Sequence, residues 1–203
     1  MLYLTRHTET DGNRAGIIQG TDDSFVLNET GRTQAAQVAE KLKRFGIEQI
    51  VSSDLTRTKQ TAEIIKDILK VTVEYDPRLR EYNFGRLNGW PKRAIEPTMM
   101  GMFISNPTAP EFNAEPFDDA FTRVGNFLCT QDYNSNILVV THSNILYFMM
   151  CYLENKNKFD VFSYVNKSMS LDINNGDILR LRNLESEMNI LRGTRFYKMK
   201  KSK

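Results

Sequence analysis

Hydrophobic and polar positions along this chain follow two periods. Short apolar runs of strand length occur at 1–6, 49–52, 71–73 and 137–141, each leading into polar residues. Between them the spacing changes to three and four. Ala35, Val38, Ala39 and Leu42 make one apolar stripe across 29–45. Ala62, Ile65 and Leu69 make a second across 55–69, and Phe117, Phe121, Val124 and Leu128 a third across 117–130. A further buried helix is expected over 143–154. Gly46 suits a C-terminal cap. Ser53 or Asp54 would cap the second helix. Pro91 fits the first turn of a helix reaching 105, and Asn113-Ala114-Glu115 would cap the helix that Phe117 starts. Asn174-Asn175-Gly176-Asp177, between apolar stretches at 168–173 and 178–183, reads as a hairpin turn.

Alternating strands and helices predict an α/β fold: a three-layer sandwich with a mostly parallel central sheet and helices on both faces. No repeat or linker divides the chain, so 1–203 is expected to be one domain. The irregular, charged and Gly-containing stretch at 76–116 would be a cap over the sheet. The polar loop at 8–28 is long for a connection between core elements, which points to function.

Composition adds less. The 203 residues are 40% hydrophobic and 26% charged, as in an ordinary globular protein with a sizeable core. Cys129 and Cys151 lack metal or redox spacing and read as reduced core thiols, although pairing between them stays open. No leader pattern opens the sequence and no apolar run is long enough for a bilayer, so a cytoplasmic protein is expected, a monomer or homodimer with no membrane partner. The net charge is +2, and the six basic residues from Arg192 onward leave the remainder net acidic. That basic tail, 192–203, reads as a solvated terminus, with no nucleic-acid motif beside it. Met99, Met100, Met102 and Phe103 read as core or cap packing in preference to an adaptable substrate lid.

The chemistry lies at strand ends. In open parallel sheets, ligands bind beyond the carboxyl ends of the strands. Arg6 and His7 follow the first strand, Ser52, Ser53, Asp54 and Arg57 the second, and His142 and Ser143 the late one. His7 and His142 are the only histidines in the chain. Two guanidiniums and two imidazoles in one pocket suit a phosphoryl group. Arginine forks match phosphate oxygens, neutral imidazole is a nucleophile, and a second imidazole can stabilise charge shifting onto the oxygens. A helix starting after His142 would add N–H donors. With no third histidine, the proton for a leaving oxygen points to a carboxylic acid. Glu81, in Arg80-Glu81-Tyr82-Asn83-Phe84-Gly85, lies where a site wall is expected. Partial burial or a neighbouring dianion favours the protonated form of such a group.

These segments resemble a known family in order. Arg6-His7-Thr8-Glu9-Thr10-Asp11-Gly12-Asn13 is similar to the Arg-His-Gly-x-Thr-x-x-Asn signature of the histidine phosphatase superfamily, also called the phosphoglycerate mutase-like family. Gln19-Gly20, Leu27 to Gly31 and Gln34-Ala35 resemble the family's next segments. Ser52 to Ala62 resembles the second arginine segment, Leu79-Arg80-Glu81 through Gly85 and Gly89 the acid loop, Val139 to His142 the second histidine strand, and Asn166-Lys167-Ser168 the start of a late strand. The likeness runs from residue 2 to about 170 and is nearer the phosphatase branch.

The resemblance implies that His7 becomes a phosphohistidine, that Arg6, Arg57 and His142 hold the phosphate, and that Glu81 passes protons to the leaving group and from water. Asn13, Gln19, Gly20 and Ser143 would line the substrate side. No metal and no cofactor are implied. The expected activity is hydrolysis of a small phosphorylated metabolite. The alternatives are a bisphosphoglycerate-dependent phosphoglycerate mutase and a catalytically weak protein that binds phosphorylated ligands. Two departures stand out. Thr8 replaces the family's usual glycine and would narrow the pocket or restrict the backbone, and Ser143-Asn144 replaces Gly-Gly.

Overall fold

The computed structural model describes residues 1–153, 173–183, 186–192 and 195–198. The elements, in chain order, are β1 (Leu2–Arg6), α1 (Asp11–Arg14), α2 (Glu29–Leu42), β2 (Gln49–Ser52), α3 (Thr56–Leu69), β3 (Thr72–Tyr75), α4 (Pro97–Ser105), α5 (Phe117–Cys129), β4 (Ile137–Thr141), α6 (Ser143–Leu153), β5 (Ile178–Asn183), β6 (Ser186–Arg192) and β7 (Arg195–Lys198). The sheet order is β3-β2-β4-β1-β5-β6-β7. Strands β1 to β4 run parallel to their neighbours in that group, and β5, β6 and β7 extend the sheet antiparallel beyond β1.

Strand alternation separates two cores. Leu2 and Leu4 of β1 face a cluster with Val124 and Leu128 of α5 and Ile145 and Phe148 of α6. Tyr3 faces the other cluster, with Val38 and Leu42 of α2 and Ala62 and Ile65 of α3. Each central strand is apolar on both sides because both faces are covered. The expected α/β sandwich is what forms.

Chain direction explains the layers. From β1 the chain moves through α2, β2, α3 and β3 toward one sheet edge. Right-handed crossovers keep α2 and α3 on one face. The chain then returns to β4, beside β1, and leaves through α6 on the opposite face toward β5. Neighbouring strands β1 and β4 therefore send their helices to opposite faces. The crevice between their carboxyl ends is a topological switch point, where open α/β sheets bind ligands.

Several local expectations are corrected. Leu55 is the N-cap of α3 and carries no capping side chain. The Thr56 N–H is taken by the Asp23 carboxylate instead, while Ser53 Oγ accepts the Leu55 N–H at 3.4 Å. Pro91 precedes only a single 3-10 turn, and α4 begins at Pro97. Pro116 is the N-cap of α5 and makes no side-chain bond. Asn113 adopts a left-handed φ of 49°, and Glu115 is drawn instead to Arg123. The turn at 174–177 closes with Asp177 N–H donating to Asn174 O at 3.1 Å, but β5 pairs with β1 and β6, so the hairpin partner is β6; 168–172 lies outside the described residues. Within the basic segment, Arg195–Lys198 forms β7, which pairs with β6. Cys151 is buried, but Cys129 is exposed at the end of α5 with its Sγ 3.2 Å from the Tyr152 hydroxyl, and no disulfide joins the two. Among the described residues no helix is long and apolar enough to cross a membrane.

Candidate active site

Parallel register sets the two histidines side by side. Arg6 of β1 pairs with Thr141 of β4, so the next residue on each strand is a histidine. The His7 N–H continues the ladder to Thr141 O at 2.8 Å. The imidazole centroids lie 5.3 Å apart with the rings inclined at 57°. Both side chains are buried.

The tautomer of His7 follows from its partner. Nδ1 lies 2.9 Å from the Thr8 carbonyl oxygen, which can only accept, so Nδ1 carries the hydrogen. Burial, followed by the Arg57 and Arg6 charges, pushes the His7 pKa well below the ordinary imidazole value. The ring is therefore neutral, with its lone pair on Nε2. Asn175 steadies the same turn, its amide donating to His7 O at 2.7 Å and to Asn13 Oδ1 at 3.3 Å.

His142 is held from the neighbouring strand end. Its Nε2 is 2.9 Å from Ser53 Oγ, just past β2. The Ser53 hydroxyl has no other acceptor among its described contacts, so its proton goes to Nε2. His142 then keeps its own hydrogen on Nδ1, which is buried without a partner. Burial, with Arg57, His7 and Arg6 adding to it, holds His142 well below the ordinary value.

Arg57 projects from the first turn of α3 and is almost wholly buried. It donates to Gly20 O at 2.6 Å and Asp22 O at 2.9 Å, which fixes the fork against the 8–28 loop. Its Nε remains buried without a partner. Burial lowers its pKa to about 10, a shift opposed by Glu81 and Asp23, so it stays charged at neutral pH. Arg6 donates to Ile173 O at 3.1 Å. Buried donors without partners cost about 1–3 kcal/mol each. Arg57 Nε and His142 Nδ1 therefore favour an incoming acceptor.

Glu81 is buried, with Oε1 accepting the Tyr82 N–H at 2.9 Å and Oε2 at 3.4 Å from the Ser143 hydroxyl. Ser143 opens α6, whose first-turn N–H groups have no intrahelical acceptor.

One cavity of about 360 Å³ joins these groups. Arg6, His7, Arg57, Glu81, Asn13, Gln19, Gly20 and Ser143 all line it, and His142 stands beside His7. Eight of the nine candidate site residues thus line one cavity, with His142 beside it, whereas Ser52, Ser53 and Asp54 do not line it and Asp54 pairs with Arg80.

The Thr8 expectation is corrected. Its side chain is buried away from the cavity lining, and its hydroxyl pairs with Thr61 Oγ1 at 3.2 Å, as does its N–H. Its φ is not in the left-handed region, so a Cβ brings no backbone strain. The packing preference for the methionine cluster is also only half right. Phe103 is buried among aromatic rings, yet Phe103 and Met100 line the cavity, while Met102 is exposed.

Other contributors escaped the sequence reading. Asn175 read as a turn residue, and Lys92, Ile95, Ile104 and Tyr147 carried no motif. The signal available for α4 was the 100, 103, 104 spacing, which puts three apolar side chains on one helix face. Among the described residues no group of three or more histidine, cysteine, aspartate or glutamate side chains could hold a metal ion.

Together these features gather two neutral imidazoles and two guanidiniums around one pocket at the switch point of an α/β sheet. Residues 2–176 match the histidine phosphatase superfamily (branch 1), and the chain belongs to that superfamily. It is similar to a Yersinia pestis (strain Pestoides F) protein named "Probable phosphoglycerate mutase GpmB", 49% identical over 96 residues, which is 47% of this chain and 44% of that one. The match spans less than half the length of that relative. In structure it resembles a mycobacterial glucosyl-3-phosphoglycerate phosphatase, with a TM-score of 0.71 at 26% identity, covering 88% of this chain and 87% of that one. The VO3 complex of the same enzyme gives 0.73 at 25% identity, covering 97% and 96%.

Proposed function

We propose that this protein is a phosphomonoesterase that hydrolyses a small phosphorylated metabolite through a phosphohistidine on His7. One observation carries the reading: the Thr8 carbonyl holds the Nδ1 hydrogen of a buried, neutral His7, leaving the Nε2 lone pair as its reactive atom in a cavity that Arg6 and Arg57 also line.

In the first step Nε2 attacks phosphorus and the phosphorus–oxygen ester bond breaks. Glu81, as a carboxylic acid, gives its proton to the departing oxygen. Arg6, Arg57 and the His142 Nδ1–H hold the phosphoryl oxygens as charge builds, with the first turn of α6 supplying further N–H donors. In the second step Glu81, now a carboxylate, takes a proton from water as its oxygen attacks the phosphohistidine. Phosphate leaves, and His7 and the protonated Glu81 are restored. Asn13, Gln19, Gly20 and Ser143 face the substrate. The scheme needs no metal or cofactor.

A short reaction with a radiolabelled aryl phosphate, quenched in base, tests this. The expected result is a base-stable, acid-labile label on the protein, absent from His7→Ala. Wild-type turnover by His7→Ala would sink the mechanism.

The mutase reading has one observation in its favour, the half-length likeness to a protein named a phosphoglycerate mutase. A mutase would exchange the phosphoryl group between phosphoglycerates far faster than it releases phosphate. A ligand-binding protein would retain affinity without turnover.

A further inference from the structure

The cavity has two chemically different ends. Much of its polar lining is tied to the phosphate end: Asn13 bonds through Asn175 to the His7 turn, Gly20 accepts from Arg57, and Ser143 reaches Glu81. Gln19 and Asn144 also line the cavity, Gln19 with its Oε1 buried and without a partner. The remaining wall is mostly apolar, made by Phe84, Ile95, Met100, Phe103, Ile104 and Tyr147. Lys92, an exposed residue, is the charged side chain on that side.

Contacts within the chain hold this wall in place. Ile18 N–H donates to Trp90 O at 2.8 Å, Gly89 N–H to Ile18 O at 2.7 Å and Lys92 N–H to Gly16 O at 2.8 Å, which stitches the 16–18 loop to 89–92. Opposite, Met100, Phe103 and Ile104 share one face of α4. Phe103 is anchored by rings on several sides: Phe84 stacks at 5.9 Å, and Phe112 and Phe117 meet it edge-on at 5.3 and 6.2 Å. Met100 and Ile104 are only half-buried, so apolar surface is left facing the cavity.

We infer that this wall is a leaving-group subsite for a compact apolar alcohol, aromatic or branched aliphatic, so that the substrate class is an apolar phosphomonoester. The inference rests on the phosphomonoesterase reading and names the substrate of that same site. A sugar would place hydroxyls against Ile95, Met100, Phe103 and Ile104. None of these side chains can bond to such groups, and a buried polar group without a partner is costly. A phenyl-sized group there removes apolar area from water on both partners. The volume, near the small end for ligand pockets, admits one ring beside the phosphate.

Calorimetric binding of phosphonates, which cannot be hydrolysed, tests the subsite apart from the reaction. Benzylphosphonate is expected to bind about ten- to a hundredfold tighter than 2-hydroxyethylphosphonate. Met100→Asp should shrink that ratio at least about tenfold, since it sets a carboxylate in the wall. If Met100→Asp fails to fold, Ile104→Ser should shrink the ratio about threefold. Equal affinities, or a preference for the hydroxyethyl compound, would overturn the inference. Wild-type turnover of phenyl phosphate, measured in parallel, separates the two readings. Benzyl preference without turnover upholds the subsite and sinks the hydrolysis. Turnover without benzyl preference upholds hydrolysis and sinks the subsite.

Discussion

Arg123 and Glu115 form an ion pair at 2.7 Å whose remaining bonds clamp the backbone around Glu81. Arg123 donates to the carbonyls of Arg78 and Arg80 at 2.7 Å each and of Glu81 at 3.3 Å. Glu115 Oε2 accepts the Asn83 N–H at 3.2 Å. Both side chains are mostly buried. Arg123 carried no motif and Glu115 only a place in an expected helix cap, yet together they hold the chain on each side of the proposed acid. They are positioning residues.

Arg123→Met should therefore lower stability by about 2–3 kcal/mol, because three carbonyls and a carboxylate lose a charged donor. It should also slow alkyl phosphates more than nitrophenyl phosphate, whose leaving group needs no proton. Arg123→Lys should rescue little, since one ammonium cannot span the same acceptors. A uniform loss across leaving groups would reduce the pair to a structural role. Stopped assays with the two ester types decide it.

Stability should fall with acid in a window set by the two histidines. Both have folded pKa values well below the ordinary value, through burial first and neighbouring cations second. Their contribution is complete above the unfolded pKa of about 6.5. Below it the unfolded chain binds protons that the folded chain refuses, so stability declines until the folded pKa values are reached. Two such groups predict a loss of about 2 kcal/mol between pH 6.5 and 5.5, by urea denaturation. His142→Gln should remove about half of that decline. A flat profile across the window would contradict neutral burial of both rings.

Thr61 links α3 to the nucleophile loop. Its hydroxyl donates to Arg57 O at 2.8 Å and lies 3.2 Å from both the Thr8 N–H and hydroxyl. Thr61→Val keeps the shape but strands these two buried groups, and should cost about 1–3 kcal/mol of stability. Thr61→Ser should cost much less. Equal losses in the two variants would assign the effect to packing.

The parallel half of the fold was legible because strand and helix periods are local. Strand-end chemistry was legible for the same reason: His7, Arg57, Glu81 and His142 each sit beside a recognisable segment. The features that escaped depended on contacts distant in sequence. Thr8 was read as crowding the pocket, but its side chain turns to Thr61, more than fifty positions on. The α3 start takes its bond from Asp23, across the substrate loop. Strands β6 and β7 were hidden because mixed polar and basic residues on a sheet extension resemble a solvated tail. The apolar wall was hidden because α4 begins at Pro97, six residues later than the first proline suggested.

The paired histidines should fail differently when removed. His7 holds its hydrogen on Nδ1 through Thr8 and offers Nε2, whereas His142 offers a hydrogen from Nδ1 because Ser53 occupies Nε2. One ring is arranged to give electrons and the other to give a hydrogen bond. His7→Ala should abolish both turnover and phosphoenzyme. His142→Ala removes one donor to the transferring group and should lower kcat about a hundred- to a thousandfold, while a phosphoenzyme still forms slowly. Ser53→Ala frees Nε2 and lets the His142 tautomer exchange, so it should reduce kcat about tenfold with the label retained. Quench-flow labelling of the three variants resolves these cases. A labelled His7→Ala protein, or loss of label in His142→Ala at long times, would reverse the assignment of the two rings.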